Sequence, residues 1–271
     1  MSKLINSTAI IQNKVIAIEH DKSKIIKIYD QPLEMPHFSE VGSERLQHID
    51  MMDFQGKISM ILRTQMMKVG IQTPLKKGQY SINIVVRTPR MLADLPLLET
   101  MKSILDGING EIIFNDADIY HCRIKYVQYR LTPRATKVRP HDLIDITIND
   151  LALNQTLVSV RGFNTYIVPK RMPYVLNAED DVYFYPLHEF YHLHVSDVLQ
   201  KEGFQIKSPH QCSVKLEFRG GVASKDIDNM AKCYLPILTE GGFLCNQEII
   251  SLELSKNNQS NGTGAIIVRV M

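Results

Sequence analysis

One strand-like stretch occurs twice, and this internal echo limits the possible folds more than any other feature of the chain. Tyr80–Arg87 reads Y-S-I-N-I-V-V-R and Cys212–Arg219 reads C-S-V-K-L-E-F-R, an offset of 132 residues (212 − 80). In both, every second residue is apolar, the period of a strand with one face in the core. A helical pattern follows each strand. Leu97–Ile108 carries its stripe on Leu97, Leu98, Met101, Ile104, Leu105 and Ile108, and Ile227–Leu238 repeats it, with Lys232 falling on Lys102 at an offset of 130 (232 − 102). Asn109-Gly110 and Gly241-Gly242 supply left-handed stops.

The flanking segments extend the echo. In the first half, Ile25–Tyr29 reads as a strand and Asp53–Val69 as a helix, with strands Ile119–Val127 and Leu143–Ile148 after the shared core. In the second, Thr165–Val168 reads as a strand, Pro186–Gln200 as a helix, and Ile249–Leu254 and Ala265–Val270 as closing strands. The expected fold class is α+β: two repeated β-α-β-α-β-β units forming a pseudo-dimer, since symmetric pairing is the commonest way such units assemble. The expected boundaries are an N-terminal arm over 1–24, a first unit over 25–152 and a second over 153–271.

The chemistry concentrates in Lys225–Ile249. Asp226 and Asp228 stand one residue apart where a strand feeds a helix, Asn229 and Lys232 follow within a turn, and Asn246, Gln247 and Glu248 lead into the next strand. Mg²⁺ takes hard oxygen ligands, usually one or two carboxylates with phosphate and water. Such ions polarise a scissile phosphate and activate water, and a lysine one turn into the helix can stabilise the developing charge. The plain alternative is that an Asp at a helix start caps it, stabilising by about 0.5–2 kcal/mol.

K-D-I-D-N-M-A-K (Lys225–Lys232) followed by N-Q-E-I (Asn246–Ile249) resembles the RusA family of Holliday-junction resolvases, whose members carry D-x-D-N-x-x-K, a helix, and an acidic turn entering a strand. The resemblance implies a Mg²⁺-dependent (or Mn²⁺-dependent), structure-selective DNA endonuclease of recombination or repair. It assigns catalytic roles to Asp226, Asp228 and Lys232, with Asn246 in place of the family's later aspartate. The first half keeps that aspartate as Asp116, in N-D-A-D-I (Asn115–Ile119), after the fitting D-G-I-N-G (Asp106–Gly110). Its D-x-D has become A-D-L-P-L-L-E-T-M-K (Ala93–Lys102), in which Asp94 matches Asp226 and Pro96 falls at the second acid. Neither half holds a full set. The expected metal ligands are therefore drawn from Asp226, Asp228, Asn246, Glu248 and Asp116. Three outcomes stay open: an active second half in which Asn246 and Glu248 suffice, one composite site shared by both halves, or an inactive protein that binds branched DNA.

A different chemistry is written at His188-Glu189-Phe190-Tyr191-His192, which satisfies H-E-x-x-H, with His188 and His192 as zinc ligands and Glu189 as general base of a metallopeptidase. Against it, the two histidines edge an apolar stripe of Leu187, Phe190, Tyr191, Val195 and Val198. Basic residues suited to phosphate contacts are Arg87 and Arg219 at matching strand ends, Lys225, the loop residues Arg130, Arg134, Lys137 and Arg139, and Lys170 and Arg171. A net charge of +2 permits nucleic acid without arguing for it. The four cysteines lack C-x-x-C spacing, and no apolar run reaches the about 18 residues of a membrane span. DNA without a membrane partner, a cytoplasmic setting, and a monomer acting as a pseudo-dimer or a further homo-oligomer are the expectations.

Overall fold

The computed structural model describes residues 7–11, 14–20, 24–29, 49–89, 91, 97–129, 142–165, 211–240, 249–258 and 265–270. The protein is α+β, built on one mixed sheet. Its strands are β1 (Ser7–Ile11), β2 (Lys14–His20), β3 (Lys24–Tyr29), β4 (Tyr80–Thr88), β5 (Ile119–Gln128), β6 (Asp142–Asp150), β7 (Gln155–Thr165), β8 (Cys212–Gly220), β9 (Ile249–Asn258) and β10 (Ala265–Val270). The helices are α1 (Ile49–Lys68), α2 (Leu97–Ile108) and α3 (Ile227–Glu240).

Strand order across the sheet is β1-β2-β3-β10-β8-β9-β5-β4-β6-β7. At its centre β5 and β9 run antiparallel, His121 facing Ser255 and Lys125 facing Ser251. Outward from that pair, both directions show the same pattern. β9 is parallel to β8 and β5 parallel to β4. Antiparallel β10 and β6 come next. The register even breaks at the same place, between Tyr80 and Ser81 on one side and between Cys212 and Ser213 on the other. The offsets between like elements are 132 for β4 and β8 (212 − 80), 130 for α2 and α3 (227 − 97), and 130 for β5 and β9 (249 − 119).

The alternation of the sequence is what buries one face. Ile82, Ile84 and Val86 of β4, Cys122 and Ile124 of β5, Val214, Leu216 and Phe218 of β8, and Leu252 and Leu254 of β9 form a single core with the stripes of the helices. Residues of the intervening parity form a polar face, where Lys215 Nζ lies 2.5 Å and His121 Nε2 3.2 Å from Glu253 Oε1. Helix α1 packs closely on α2 because Gly107 leaves room: a Cβ there would stand 3.1 Å from the Gln55 Cα.

The expected N-terminal arm, 1–24, contains the hairpin strands 7–11 and 14–20, with Ile11 paired to Lys14. The boundary at 152/153 falls inside a second hairpin, in which β7 returns along β6. Asp150 Oδ1 accepts from the Ala152 and Leu153 N–H groups at 2.9 and 3.0 Å, and Asn154 supplies a left-handed residue at φ 49°, so Leu151–Asn154 turns the chain without the usual glycine. The outer strands also cross over: β3 pairs with β10 of the second half.

Candidate functional site

Asp226 and Asp228 follow the C-terminal end of β8, in the turn that starts α3. Because β9 runs parallel to β8 and antiparallel to β5, this end of β8 lies beside the start of β5. The residues before β5 form a tight 3-10 turn, Asp116–Asp118, closed by Asn115, whose side chain accepts from the Ala117 N–H at 2.8 Å. The topology therefore brings Asp116 of the first half against Asp226 of the second, their carboxyls in hydrogen-bonding contact, with Asp228 close by.

Two lysines complete the constellation. Lys102 of α2 reaches across from the first half and places Nζ 3.1 Å from Asp228 Oδ2 and 3.0 Å from Asp106 Oδ1. Asp228 is 1% exposed, and its other oxygen, Oδ1, has no hydrogen-bond partner among the described residues. Lys256, near the end of β9, donates to the carbonyl of Ala117 and, at 2.9 Å, to that of Lys225. It thereby ties the two acid-bearing turns to each other, and its ammonium sits 4.6 Å from the centre of the Tyr120 ring. Asp118, also buried, leaves Oδ2 without a partner among the described residues.

Asp226 is placed where an N-cap would be, and its backbone carbonyl accepts from the Met230 N–H at 3.1 Å. Its side chain accepts from Asn229 Nδ2 at 3.0 Å while also meeting Asp116. The capping explanation thus covers the backbone but not the contact with a second carboxyl.

The electrostatics follow from burial and from like charges. Burial first, then the neighbouring Asp226 and Asp228 charges, push Asp116 up to about 7, so it stays partly protonated near neutral pH. Burial lowers Lys256 to about 8, against the pull of Asp226, Asp118, Asp116 and Asp228. Lys232 is lowered to about 7 by burial and by Lys102, against which it packs. Lys232, the lysine of the expected site, thus faces Asp228 and Asp106 together with Lys102, which is ion-paired to Asp228.

Among the described residues no three His, Cys, Asp or Glu side chains form a preassembled metal-ligand cluster. The oxygens nevertheless suit a hard divalent ion. Asp116, Asp226 and the unpartnered Oδ1 of buried Asp228 are carboxylate donors whose mutual repulsion is met here by the raised pKa of Asp116 and the Lys102 ammonium, the roles a cation would take over.

Arg87 and Arg219 both occupy the polar face of the sheet and are engaged by carboxylates. Arg87 Nη2 is 2.5 Å from Asp145 Oδ1, and Arg219 Nε is 2.7 Å from Glu217 Oε1. Lys225 enters the site through its carbonyl, held by Lys256. Asn246, Glu248, Asp94, the basic residues Arg130, Arg134, Lys137, Arg139, Lys170 and Arg171, and the zinc motif His188, Glu189 and His192 lie outside the described residues. Asp118, Lys256 and Asp106 were missed by sequence reasoning. Asp118 was signalled by N-D-A-D, and Lys102 by its alignment with Lys232, whereas nothing in the sequence marks Lys256. No family model, curated protein or solved structure matches the chain.

Proposed function

We propose that the protein is a Mg²⁺-dependent endonuclease for branched DNA, resembling the RusA-type resolvases, and that its two halves are diverged copies sharing one composite site. The observation that carries this reading is the complementarity of the defects. The second half has the D-x-D pair but lacks the later acid, the first half has the later acid as Asp116, and these meet with Lys102 bridging to Asp228. Mg²⁺ bound among these carboxylates would neutralise phosphate charge and lower the pKa of a bound water. The protein's own residues orient the ion and one another: Asp116, Asp226 and Asp228 donate oxygens, Lys102 fixes the Asp228 carboxylate, and Lys256 holds the two turns in register.

The test is cleavage of labelled four-way junctions and of linear duplex, with and without Mg²⁺. Junction cleavage that needs Mg²⁺ and disappears in Asp228→Asn is expected. Tight junction binding with no cleavage at any Mg²⁺ concentration would replace this reading with that of a branched-DNA-binding protein.

A further inference from the structure

We infer that one molecule makes one incision, because only one of two counterpart sites retains its chemistry; the inference rests on the nuclease reading above. The repeated pairing pattern about β5 and β9 gives every site residue a counterpart on the other side of the centre. At the helix offset of 130, in place of the strand offset of 132, the counterpart of Asp228 is Leu98, that of Lys256 is Tyr126 and that of Asp106 is Pro236; in sequence alone, Pro96 stands at the same offset from Asp226 and Asn246 from Asp116.

These replacements act together. Leu98 is buried and apolar, so the position that should hold the most shielded carboxylate offers no oxygen to a cation. Tyr126, also buried, carries no ammonium to join two turns as Lys256 does. Lys232 stands where Lys102 stands, but it packs against Lys102 and faces the charges of Asp228 and Asp106, so it belongs to the retained site and not to the counterpart. An enzyme that cuts two strands symmetrically needs two equivalent sites, and among the described residues the counterpart positions of Asp228 and Lys256 lack the carboxylate and the ammonium.

The step itself is a hydrolysis. Water adds to phosphorus, one bridging P–O bond breaks, and the proton lost by water passes through solvent to the leaving oxygen, with no change of oxidation state. The product of one encounter is a nicked strand, and severing the opposing strand requires a second binding event.

Two measurements on the full chain test this. In the first, Mn²⁺ alone is titrated and free ion is read by electron paramagnetic resonance. A single site predicts that Asp228→Asn removes all tight binding, and Asp116→Asn, a second isosteric change in the other half, does the same. Retention of about half the bound Mn²⁺ in either variant would reveal a working counterpart and overturn the inference. In the second, a supercoiled plasmid that extrudes a cruciform is the substrate. Nicked circles are expected first, with linear DNA forming from them; linear DNA formed directly would overturn the single incision while leaving the nuclease reading intact. Metal binding without cleavage of any DNA would defeat both.

Discussion

The proton that Asp116 retains beside Asp226 makes a prediction about stability that is independent of any activity. Asp116 is raised from 3.8 to about 7 by burial and by the Asp226 and Asp228 charges. In the folded protein it therefore binds a proton that the unfolded chain has released between about pH 4 and pH 7. The linkage sign follows: the folded state holds more protons, so stability falls as pH rises through that window. The contribution is fully present below the unfolded pKa and lost above about 7. A three-unit shift corresponds to about 4 kcal/mol, and solvent screening at this half-buried turn reduces it to about 2 kcal/mol. Asp116→Asn keeps the shape and a hydrogen-bonding amide while removing the second charge. It should therefore leave stability nearly unchanged below about pH 4 and raise it by about 2 kcal/mol at pH 8.5, without divalent ions. For a chain of this size that is about 4–8 °C in Tm, measurable by thermal or urea unfolding followed by circular dichroism. Saturating Mg²⁺ should reverse the order at pH 8.5, because only the carboxylate binds the ion strongly. Asp116→Asn that destabilises equally at both pH values would refute the reasoning, since it would mean the carboxylate is held by favourable contacts.

Two further perturbations probe the lysines. Lys102→Met strands the buried Asp228 carboxylate and should cost about 3–5 kcal/mol in urea unfolding, most of it recovered in the Lys102→Met, Asp228→Asn double variant. Lys256→Met unties Ala117 from Lys225, leaving buried carbonyls that cost about 1–3 kcal/mol each. As Lys256 is a positioning residue, Mg²⁺ affinity measured by calorimetry should fall further than stability alone accounts for, and Lys256→Arg should restore part of it.

The elements around the two echoed strands were legible because one-face burial writes itself into a sequence as alternation. Tyr80–Thr88 and Cys212–Gly220 bury alternate residues along much of their length, as their apolar spacing indicates. Helices α2 and α3 begin at Leu97 and Ile227, the first residues of their stripes. The hairpins at Ile11–Lys14 and Asp150–Gln155 were harder to see, since neither has a glycine and the second turns through Asn154. Which acids meet is a different kind of fact. Local pattern cannot say that the start of β5 abuts the end of β8, because that depends on β9 running parallel to one neighbour and antiparallel to the other. Once that order is known, the reach of Lys102 across to Asp228 follows from the same geometry. Asp228, beside the start of α3, is met from α2 by Lys102. A motif read along one half thus names residue types without naming the neighbours that the other half brings to them.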